Sequence, residues 1–381
     1  MKKTNLFELV ETTYNNVERW IGYPVNQKSN MGKFYKWYTA CGFDEWLLNN
    51  VGDPYVGNNL YRLNSLEIEK EFIENFAPKY GMNPKDIWGF VTHSGTDGNN
   101  HGIYYGSKWL YQKTGMLPIV YVSEEAHYSS RRLCDLQNLE VRLIGTDING
   151  RMDLNDLRDK IDPSKPALVI VALGSTFMGA IDDQVGIDRV LKLVKPIAYY
   201  RHVDAALFGG YLPFTKQKDL VSMEKMHYDS IAISGHKFFG VDEPCGLFFI
   251  RKEVFDAQKT YKVEYLENSI PTIWCSRNAL LALKFRFVLD TVGFEGLEKQ
   301  AKAFLDNTEY LQKKLDEIGY PAWHNQYSNT VFFKRPNKEI IYKYALAGGY
   351  NKDYGGELNN IVVMQHVNTK IIDQFIYDIK K

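Results

Sequence analysis

Short hydrophobic runs alternate with helical stretches between about residues 88 and 252. The runs are rich in β-branched and aromatic residues, and they read IWGFVTH, LPIVYVS, LEVRLIGTD, ALVIVALGS, PIAYYRHVDA, DSIAISG and CGLFFIRK. They are apolar on both faces, which is typical of strands in a parallel sheet that helices cover. The pattern predicts an α/β domain built on a mostly parallel, seven-stranded sheet.

The segments on either side follow other patterns. Residues 1–60 are irregular and rich in aromatic residues, which predicts an N-terminal arm or lobe. The large domain is predicted over 61–260, and it starts with a helix that Asn64 or Ser65 can cap. Over 261–381, a loop, a long helical stretch and the strand-like NTVFFK and NNIVVMQH predict a connecting helix and a small C-terminal α+β domain.

Composition narrows the class of protein. The 381 residues are 45% hydrophobic, Lys+Arg and Asp+Glu each total 46, and no long run has one sign, so a small-molecule partner is expected rather than nucleic acid or a membrane. The first residues contain no uninterrupted apolar run and no later stretch offers the ~18 apolar residues of a membrane span, so neither secretion nor membrane insertion is expected. Four cysteines without CxxC spacing argue against zinc and disulfides, and a cytoplasmic location is expected.

The stretch FVTHSGTDGNNHG runs from a predicted strand through a glycine-bearing turn into a helix. The backbone N–H groups of Gly95, Thr96 and Asp97 would then lie at the start of that helix, where an anion such as phosphate binds. The alternative is an ordinary capped turn between a strand and a helix.

His127, in EEAHYSSRR, follows the predicted strand LPIVYVS. Open α/β sheets bind ligands beyond the carboxyl ends of their strands, so the imidazole could stack on a flat cofactor or shuttle a proton there. The alternative is a loop histidine without a chemical role.

Asp204 and Lys237 each end a hydrophobic run, and Lys237 follows Asp204 by 33 residues, about one crossover between parallel strands. The two side chains are therefore expected to converge. A buried lysine shifts toward the neutral amine, the form that condenses with carbonyls, although a salt bridge between the two residues is the structural alternative.

A phosphate-binding turn, a flat stacking group, a carboxylate and an amine are together what pyridoxal 5'-phosphate requires. At these motifs the chain also resembles the group II pyridoxal phosphate-dependent amino-acid decarboxylases, especially bacterial histidine and plant serine decarboxylases. The resemblance runs from about Gly22 to Arg335, and the matching motifs are IGYP, LNNVGDPY, LNSLEIEKEF, WGFVTHSGTDGN, AHYS, GSTFMGAIDD, HVDAALFG, SGHKFFG, EPCG and SRN.

The resemblance implies the aspartate-aminotransferase fold (fold type I) and homodimers with active sites at the subunit interface. It assigns imine formation to Lys237, contact with the pyridine nitrogen to Asp204 and ring stacking to His127. The other cofactor-binding residues that it implies are Thr176 near the ring hydroxyl, Ala206 on the second ring face, and Gly95, Thr96, Asp97, Ser234 and His236 around the phosphate.

The implied reaction is decarboxylation of an L-amino acid to its amine and CO₂. Tyr265, in VEYLENSIPTI, is the candidate that returns the proton to Cα or closes the site, with His127 as the competitor. Ser328, in AWHNQYSNTVFF, matches a serine near the substrate in the histidine enzymes, so histidine is the first expected substrate. Serine, aspartate or aromatic substrates, transamination, and a catalytically silent binding protein remain alternatives.

Overall fold

A computed structural model describes residues 5, 7–8, 10–11, 16–29, 31–57 and 59–381. The chain divides into two compact units. The larger comprises Ser29–Thr176 and Ala180–Glu298, and the smaller comprises Phe177–Gly179, Lys299–Lys381 and the described residues up to Lys28. Among the helices of the described ranges, none combines the length and the apolar character needed to cross a bilayer.

The strands of the larger unit are, in chain order, β1 (Asn49–Val51), β2 (Ile87–Thr92), β3 (Ile119–Ser123), β4 (Val141–Ile144), β5 (Ala167–Ala172), β6 (Tyr199–Asp204), β7 (Ser230–Ser234), β8 (Gly246–Arg251), β9 (Lys262–Val263), β10 (Asn268–Ser269) and β11 (Ser276–Asn278). Its helices are α1 (Met31–Ala40), α2 (Leu66–Phe76), α3 (Gly95–Thr114), α4 (Ser129–Leu136), α5 (Leu154–Lys160), α6 (Gln184–Val194), α7 (Phe208–Tyr211), α8 (Met223–Met226) and α9 (Lys252–Asp256).

The seven hydrophobic runs form one seven-stranded sheet, in the order β2-β8-β7-β6-β5-β3-β4. Strand β8 runs antiparallel to both of its neighbours, and the remaining pairs are parallel. Every residue of β2, β3, β5 and β7 is buried, which explains why these runs do not alternate with polar residues. The prediction of a mostly parallel sheet is confirmed.

Helix α3 packs unusually close to the sheet. It presents glycines at helical spacing, and a Cβ on Gly98 would lie 2.8 Å from the Ala232 Cβ, while one on Gly106 would lie 2.5 Å from the Tyr200 ring. A Cβ on Gly102 would overlap the His202 imidazole. Any side chain on this face would therefore push α3 away from the sheet.

Three of the motifs quoted above meet in a buried polar cluster. Arg277 on β11 binds Glu69 on α2, and Glu69 accepts hydrogen bonds from the Val91 amide at 2.7 Å and from Asn50 Nδ2 at 2.9 Å. Strands β1 and β11 pair with Asn50 opposite Arg277. Residues of the motifs LNNVGDPY, LNSLEIEKEF and SRN thus connect β1, α2 and β11 to Val91 on β2.

The smaller unit contains a four-stranded antiparallel sheet with the order β12-β13-β15-β14. Its elements are β12 (Ala322–His324), β13 (Thr330–Lys334), α11 (Lys338–Tyr344), β14 (Ala347–Asn351), β15 (Gly356–Val362) and α12 (Thr369–Ile379). The long helical stretch is α10 (Ala279–Glu317), and its backbone leaves helical geometry at Gly293, with φ 66° and ψ 172°. The predicted strands and long helical stretch are confirmed, whereas the domain boundaries at 60 and 260 stay a prediction.

Candidate active site

The carboxyl ends of β5, β6 and β7 bring the central residues together. Asp204, the last residue of β6, pairs with Ala172 at the end of β5 and with Ala232 on β7. Because β6 and β7 are adjacent and parallel, Ser234 at the end of β7 lies at the same sheet edge, and Lys237 follows three residues later. The expected crossover between Asp204 and Lys237 is confirmed.

Both carboxylate oxygens of Asp204 accept hydrogen bonds, and the residue is only 8% exposed. Oδ1 accepts from the Ala206 amide at 3.2 Å, and Oδ2 accepts from Asn99 Nδ2 at 2.8 Å. The two donors fix the orientation of this buried carboxyl group at the edge of the sheet.

Lys237 lies in the electrostatic field of that carboxylate. Burial lowers the pKa of its ε-amino group, and the negative charge of Asp204 acts in the opposite direction. Its Nζ forms no hydrogen bond or ion pair with any residue of the described ranges. The side chain is therefore available as an amine instead of being fixed in a salt bridge with Asp204.

His127 is half-buried in the loop between β3 and α4. Its Nδ1 accepts a hydrogen bond from the Ser129 amide at 3.3 Å and lies 2.7 Å from the Ser129 hydroxyl oxygen, so the neutral ring has its proton on Nε2. Burial lowers the pKa of His127, the charge of Lys237 lowers it further, and Asp204 opposes both. The imidazole therefore interacts electrostatically with both the Asp204 carboxylate and the Lys237 amine.

The start of α3 provides free backbone donors. Ser94 caps the helix, and its Oγ accepts from the Asp97 amide at 3.1 Å. The amides of Gly95 and Thr96 have no acceptor within the helix. A Cβ on Gly95 would overlap the Ser234 hydroxyl and lie 3.6 Å from the Ala206 Cβ, so this glycine keeps a small space open between the helix and the sheet edge.

Asp97 has partners within the chain for both its amide and its side chain. Oδ2 accepts from the His93 amide at 3.0 Å, and Oδ1 lies 3.1 Å from His101 Nδ1. Burial raises the pKa of this carboxyl group, but the hydrogen bonds from His101 and His93 outweigh it, and the pKa is well below its ordinary value. His101 Nε2 in turn accepts from the Ile273 amide at 2.9 Å. The predicted contact of Asp97 with a phosphate stays a prediction.

Ser234 and His236 precede Lys237 in the chain. Ser234 is 2% exposed, its amide donates to the Ala206 carbonyl at 2.9 Å, and its hydroxyl has no partner among the described residues. His236 Nδ1 lies 3.2 Å from the Cys245 carbonyl oxygen, and burial lowers the pKa of its imidazole. The Ser234 hydroxyl is thus a free donor beside the start of α3.

Three further predicted residues lie in loops or in the smaller unit. Thr176 is exposed in the loop after β5, and Tyr265 is 74% exposed in a single turn over Glu264–Leu266. Within the described ranges, no hydrogen bond or ring contact joins Tyr265 to Lys237 or Asp204. Ser328 belongs to the smaller unit, where it is 1% exposed and its Oγ accepts from the Thr330 amide at 3.0 Å.

Asn99 and His202 are neighbours of Asp204 that the sequence interpretation did not select. Asn99 bonds to Asp204 as described, and its Oδ1 lies 2.9 Å from His202 Nε2. A signal was available, because His202 and Asp204 are two residues apart on a strand and so point to the same face. The glycines at 98 and 102 also mark the part of α3 that approaches this face.

The donor set matches the parts of pyridoxal phosphate one by one. Free amides and the Ser234 hydroxyl suit a phosphate, and a buried carboxylate suits a protonated ring nitrogen. An imidazole suits the ring face, and the unpaired amine of Lys237 suits the aldehyde. The residues present therefore fit this cofactor.

Comparison with known proteins agrees with this fit. Residues 106–321 match the sequence profile of the pyridoxal-dependent decarboxylase conserved domain. Serine decarboxylase 1 of Oryza sativa subsp. japonica is 32% identical over 97% of this chain and 73% of its own length. Histidine decarboxylase of Vibrio anguillarum is 32% identical over 99% of this chain and 94% of its own length.

Among solved structures, L-methionine decarboxylase from Streptomyces sp. 590 superposes with a TM-score of 0.81, at 19% identity, over 98% of this chain and 94% of that chain. This similarity confirms the predicted fold class. The two relatives are each 32% identical over nearly the whole chain, which is sufficient to establish family membership. The chain therefore belongs to the pyridoxal-dependent decarboxylase family, and it is a carboxy-lyase that uses pyridoxal phosphate to decarboxylate an amino acid.

Proposed function

We propose that this enzyme decarboxylates L-histidine to histamine, with Lys237, Asp204 and His127 as its catalytic residues. The observation that supports the site most directly is the ε-amino group of Lys237, which has no partner among the described residues and whose pKa is lowered by burial, with the Asp204 carboxylate acting in the opposite direction. An amine of lowered pKa is nucleophilic near neutral pH. Lys237 thus holds the cofactor through its aldehyde.

Bound pyridoxal phosphate supplies an electron-accepting ring that stabilises the charge left when CO₂ departs. Asp204 holds a proton on the ring nitrogen, because a carboxylate in a buried site strongly favours a protonated partner. His127, with its proton on Nε2, would hold one face of the ring and donate a hydrogen bond to the substrate. Ala206 would hold the other face.

The phosphate of the cofactor is bound by the amides of Gly95 and Thr96 and by the hydroxyl of Ser234. This assignment is supported by the lack of intrahelical acceptors for these amides and by the free hydroxyl. The remaining predicted contacts complete the cofactor site in the same proposal: Asp97 and His236 toward the phosphate and Thr176 toward the ring hydroxyl.

Histidine is the proposed substrate because the segment AWHNQYSNTVFF, with Ser328, and the helix segment LNSLEIEKEF resemble their counterparts in histidine decarboxylases. Ser328 contacts the substrate in this proposal. Serine is the second candidate, because the rice serine decarboxylase and the Vibrio histidine decarboxylase are each 32% identical to this chain.

The proposed active form is a homodimer in which Tyr265 of each subunit reaches the active site of the other. Tyr265 is 74% exposed, and Tyr261 and Trp274 in the same segment are 78% and 53% exposed. Exposed aromatic residues concentrated in one segment are typical of surfaces that a partner covers. Tyr265 then returns the proton to Cα.

The test is an assay of CO₂ release and amine formation by the purified holoenzyme across the twenty amino acids. We expect histamine from L-histidine with the highest kcat/KM. A higher kcat/KM for serine would reject histidine as the preferred substrate and leave decarboxylation intact. A keto acid in place of an amine would reject decarboxylation as the main reaction.

A further inference from the structure

Asp204 is the end of a buried chain of hydrogen bonds that leads away from the proposed cofactor site. Asn99 Nδ2 lies 2.8 Å from Asp204 Oδ2, Asn99 Oδ1 lies 2.9 Å from His202 Nε2, and His202 Nδ1 lies 2.7 Å from the Ser230 Oγ. Asn99 is 2% exposed, and His202 and Ser230 are fully buried. These hydrogen bonds connect α3, β6 and β7 at one point.

The direction of every bond in this chain follows from the charge on Asp204. An ionised carboxylate only accepts, so Asn99 must donate through Nδ2 and accept through Oδ1. His202 must then donate through Nε2. Burial lowers the pKa of His202 to about 3, so the ring is neutral near pH 7, and its Nδ1 accepts from the Ser230 hydroxyl.

A neutral imidazole at this position preserves the charge of Asp204. A cationic side chain would neutralise the carboxylate and compete with the pyridine nitrogen for it. The Asn99 amide, the neutral His202 imidazole and the Ser230 hydroxyl instead orient the carboxylate without adding charge.

The close packing of α3 fixes this arrangement in space. A Cβ at Gly98 or Gly102 would collide with Ala232 or with the His202 ring, so the glycines on either side of Asn99 let its short amide reach between the helix and β6. The amide fits only at this separation, and it cannot flip without breaking its bonds to both neighbours.

We propose that Asn99 and His202 are positioning residues that orient the Asp204 carboxylate, so that the ring nitrogen of the bound cofactor stays protonated. This inference rests on the proposed role of Asp204. Ser230 completes the chain by fixing the tautomer of His202. Neither Asn99 nor His202 needs to touch the cofactor for this effect.

The test compares Asn99→Leu, His202→Leu and His202→Gln with a matched control, Asn100→Leu. Asn100 is the next residue on α3, it is 8% exposed, and its Oδ1 accepts from Gln137 Nε2 at 2.8 Å, but it does not bond to Asp204. The variants are reconstituted with ¹⁵N-labelled pyridoxal phosphate, and the ¹⁵N resonance reports whether the ring nitrogen is protonated. Steady-state kinetics separate kcat from KM.

We expect Asn99→Leu and His202→Leu to move the ¹⁵N resonance toward the unprotonated value and to lower kcat by about 100-fold, with KM changed less than about threefold. His202→Gln retains a donor near the Nε2 position, so its ¹⁵N resonance and its kcat should both lie close to the wild-type values. Asn100→Leu should keep the wild-type resonance and kcat. If Asn99→Leu does not fold, the His202 pair is sufficient for the test.

Asp204→Asn distinguishes the proposed role of Asp204 from the positioning role of Asn99 and His202. Wild-type ¹⁵N resonance and kcat in Asp204→Asn would reject the proposed role of Asp204 itself. Loss of both in Asp204→Asn, together with wild-type values in Asn99→Leu and both His202 variants, would leave that role intact and overturn the positioning role.

Discussion

Nζ of Lys284 lies 2.6 Å from Oε1 of Glu243 and 2.8 Å from Oδ1 of Asp242, although Lys284 is only 1% exposed. Its third partner is the Tyr35 hydroxyl on α1, at 2.7 Å. Asp242 and Glu243 belong to the loop that follows Lys237 and leads into β8. One buried ammonium therefore ties this loop to α10 and α1.

Lys284→Met should loosen the loop and destabilise the protein. Removing the ammonium leaves two partly exposed carboxylates without their cation, so we expect a loss of about 1–2 kcal/mol in the free energy of unfolding. We also expect kcat to fall by about tenfold, because Lys237 lies on the affected loop. Urea unfolding and steady-state kinetics measure the two effects.

Arg286→Met is the matched control on the same helix. Arg286 pairs with Glu71 and Asp290 at the surface, where the loss should stay below about 0.5 kcal/mol. Equal destabilisation in the two variants would show that the burial of Lys284 is not what makes its ion pairs important.

Asp204→Asn should abolish most of the activity while the protein remains folded. We expect kcat to fall by at least about 100-fold, because the change removes the charge and keeps the shape. Asp229→Asn is the control, since Asp229 accepts the Arg201 amide at 2.8 Å at the opposite edge of the sheet. Turnover near the wild-type value in Asp204→Asn would show that this carboxylate does not control the cofactor.

Gly95→Ala should weaken cofactor binding. The new methyl group would overlap the Ser234 hydroxyl in the space where the phosphate is proposed to bind, and we expect at least about a tenfold higher Kd for pyridoxal phosphate. Titration of the apoprotein by fluorescence measures the Kd. Gly32→Ala in α1 is the control, because no atom lies within 4 Å of its Cβ position, and it should bind the cofactor normally.

Mixing Lys237→Ala and Tyr265→Phe subunits should restore activity that neither variant has alone. In a mixed dimer, one site receives both wild-type residues if Tyr265 acts across the interface, so random exchange should yield about a quarter of wild-type activity. Each variant refolded alone is the control. No recovery in a verified mixed dimer would place Tyr265 in its own subunit's site, and activity of Tyr265→Phe alone would place Tyr265 outside catalysis.

The stability of the protein should fall in acid through His202. Burial lowers its pKa in the folded state to about 3 from an ordinary value of 6.5, so the unfolded chain takes up the proton first. This contribution is fully present above about pH 6.5 and is lost as the pH falls toward 3. We expect it to remove about 1–2 kcal/mol between about pH 6.5 and pH 5.

His202→Gln does not titrate and should show a shallower loss over this range. Urea unfolding at several pH values, followed by tryptophan fluorescence, measures the difference between the two slopes. Asp182 and Asp229 act in the opposite sense, because burial raises the pKa of each to about 6, but they are present in both proteins. Parallel slopes would show that His202 does not govern the acid response.

Much of the fold was predictable from the sequence, because strands buried on both faces must be continuous hydrophobic runs. The seven runs became the seven strands, and the 33-residue spacing of Asp204 and Lys237 correctly indicated neighbouring parallel strands. The antiparallel direction of β8 was not specified by the pattern, since hydrophobic periodicity does not encode strand direction.

The sequence by itself determined the local chemistry: an amine, a carboxylate, an imidazole and a helix start, each placed after a hydrophobic run. Only the tertiary structure decided how these groups are partnered. The carboxylate of Asp97 binds two histidines of its own segment, and Asp204 instead is bonded to Asn99 and, through it, to His202. These contacts depend on how closely α3 approaches the sheet, and that distance is set by side-chain packing between segments about 100 residues apart, which local sequence patterns do not record.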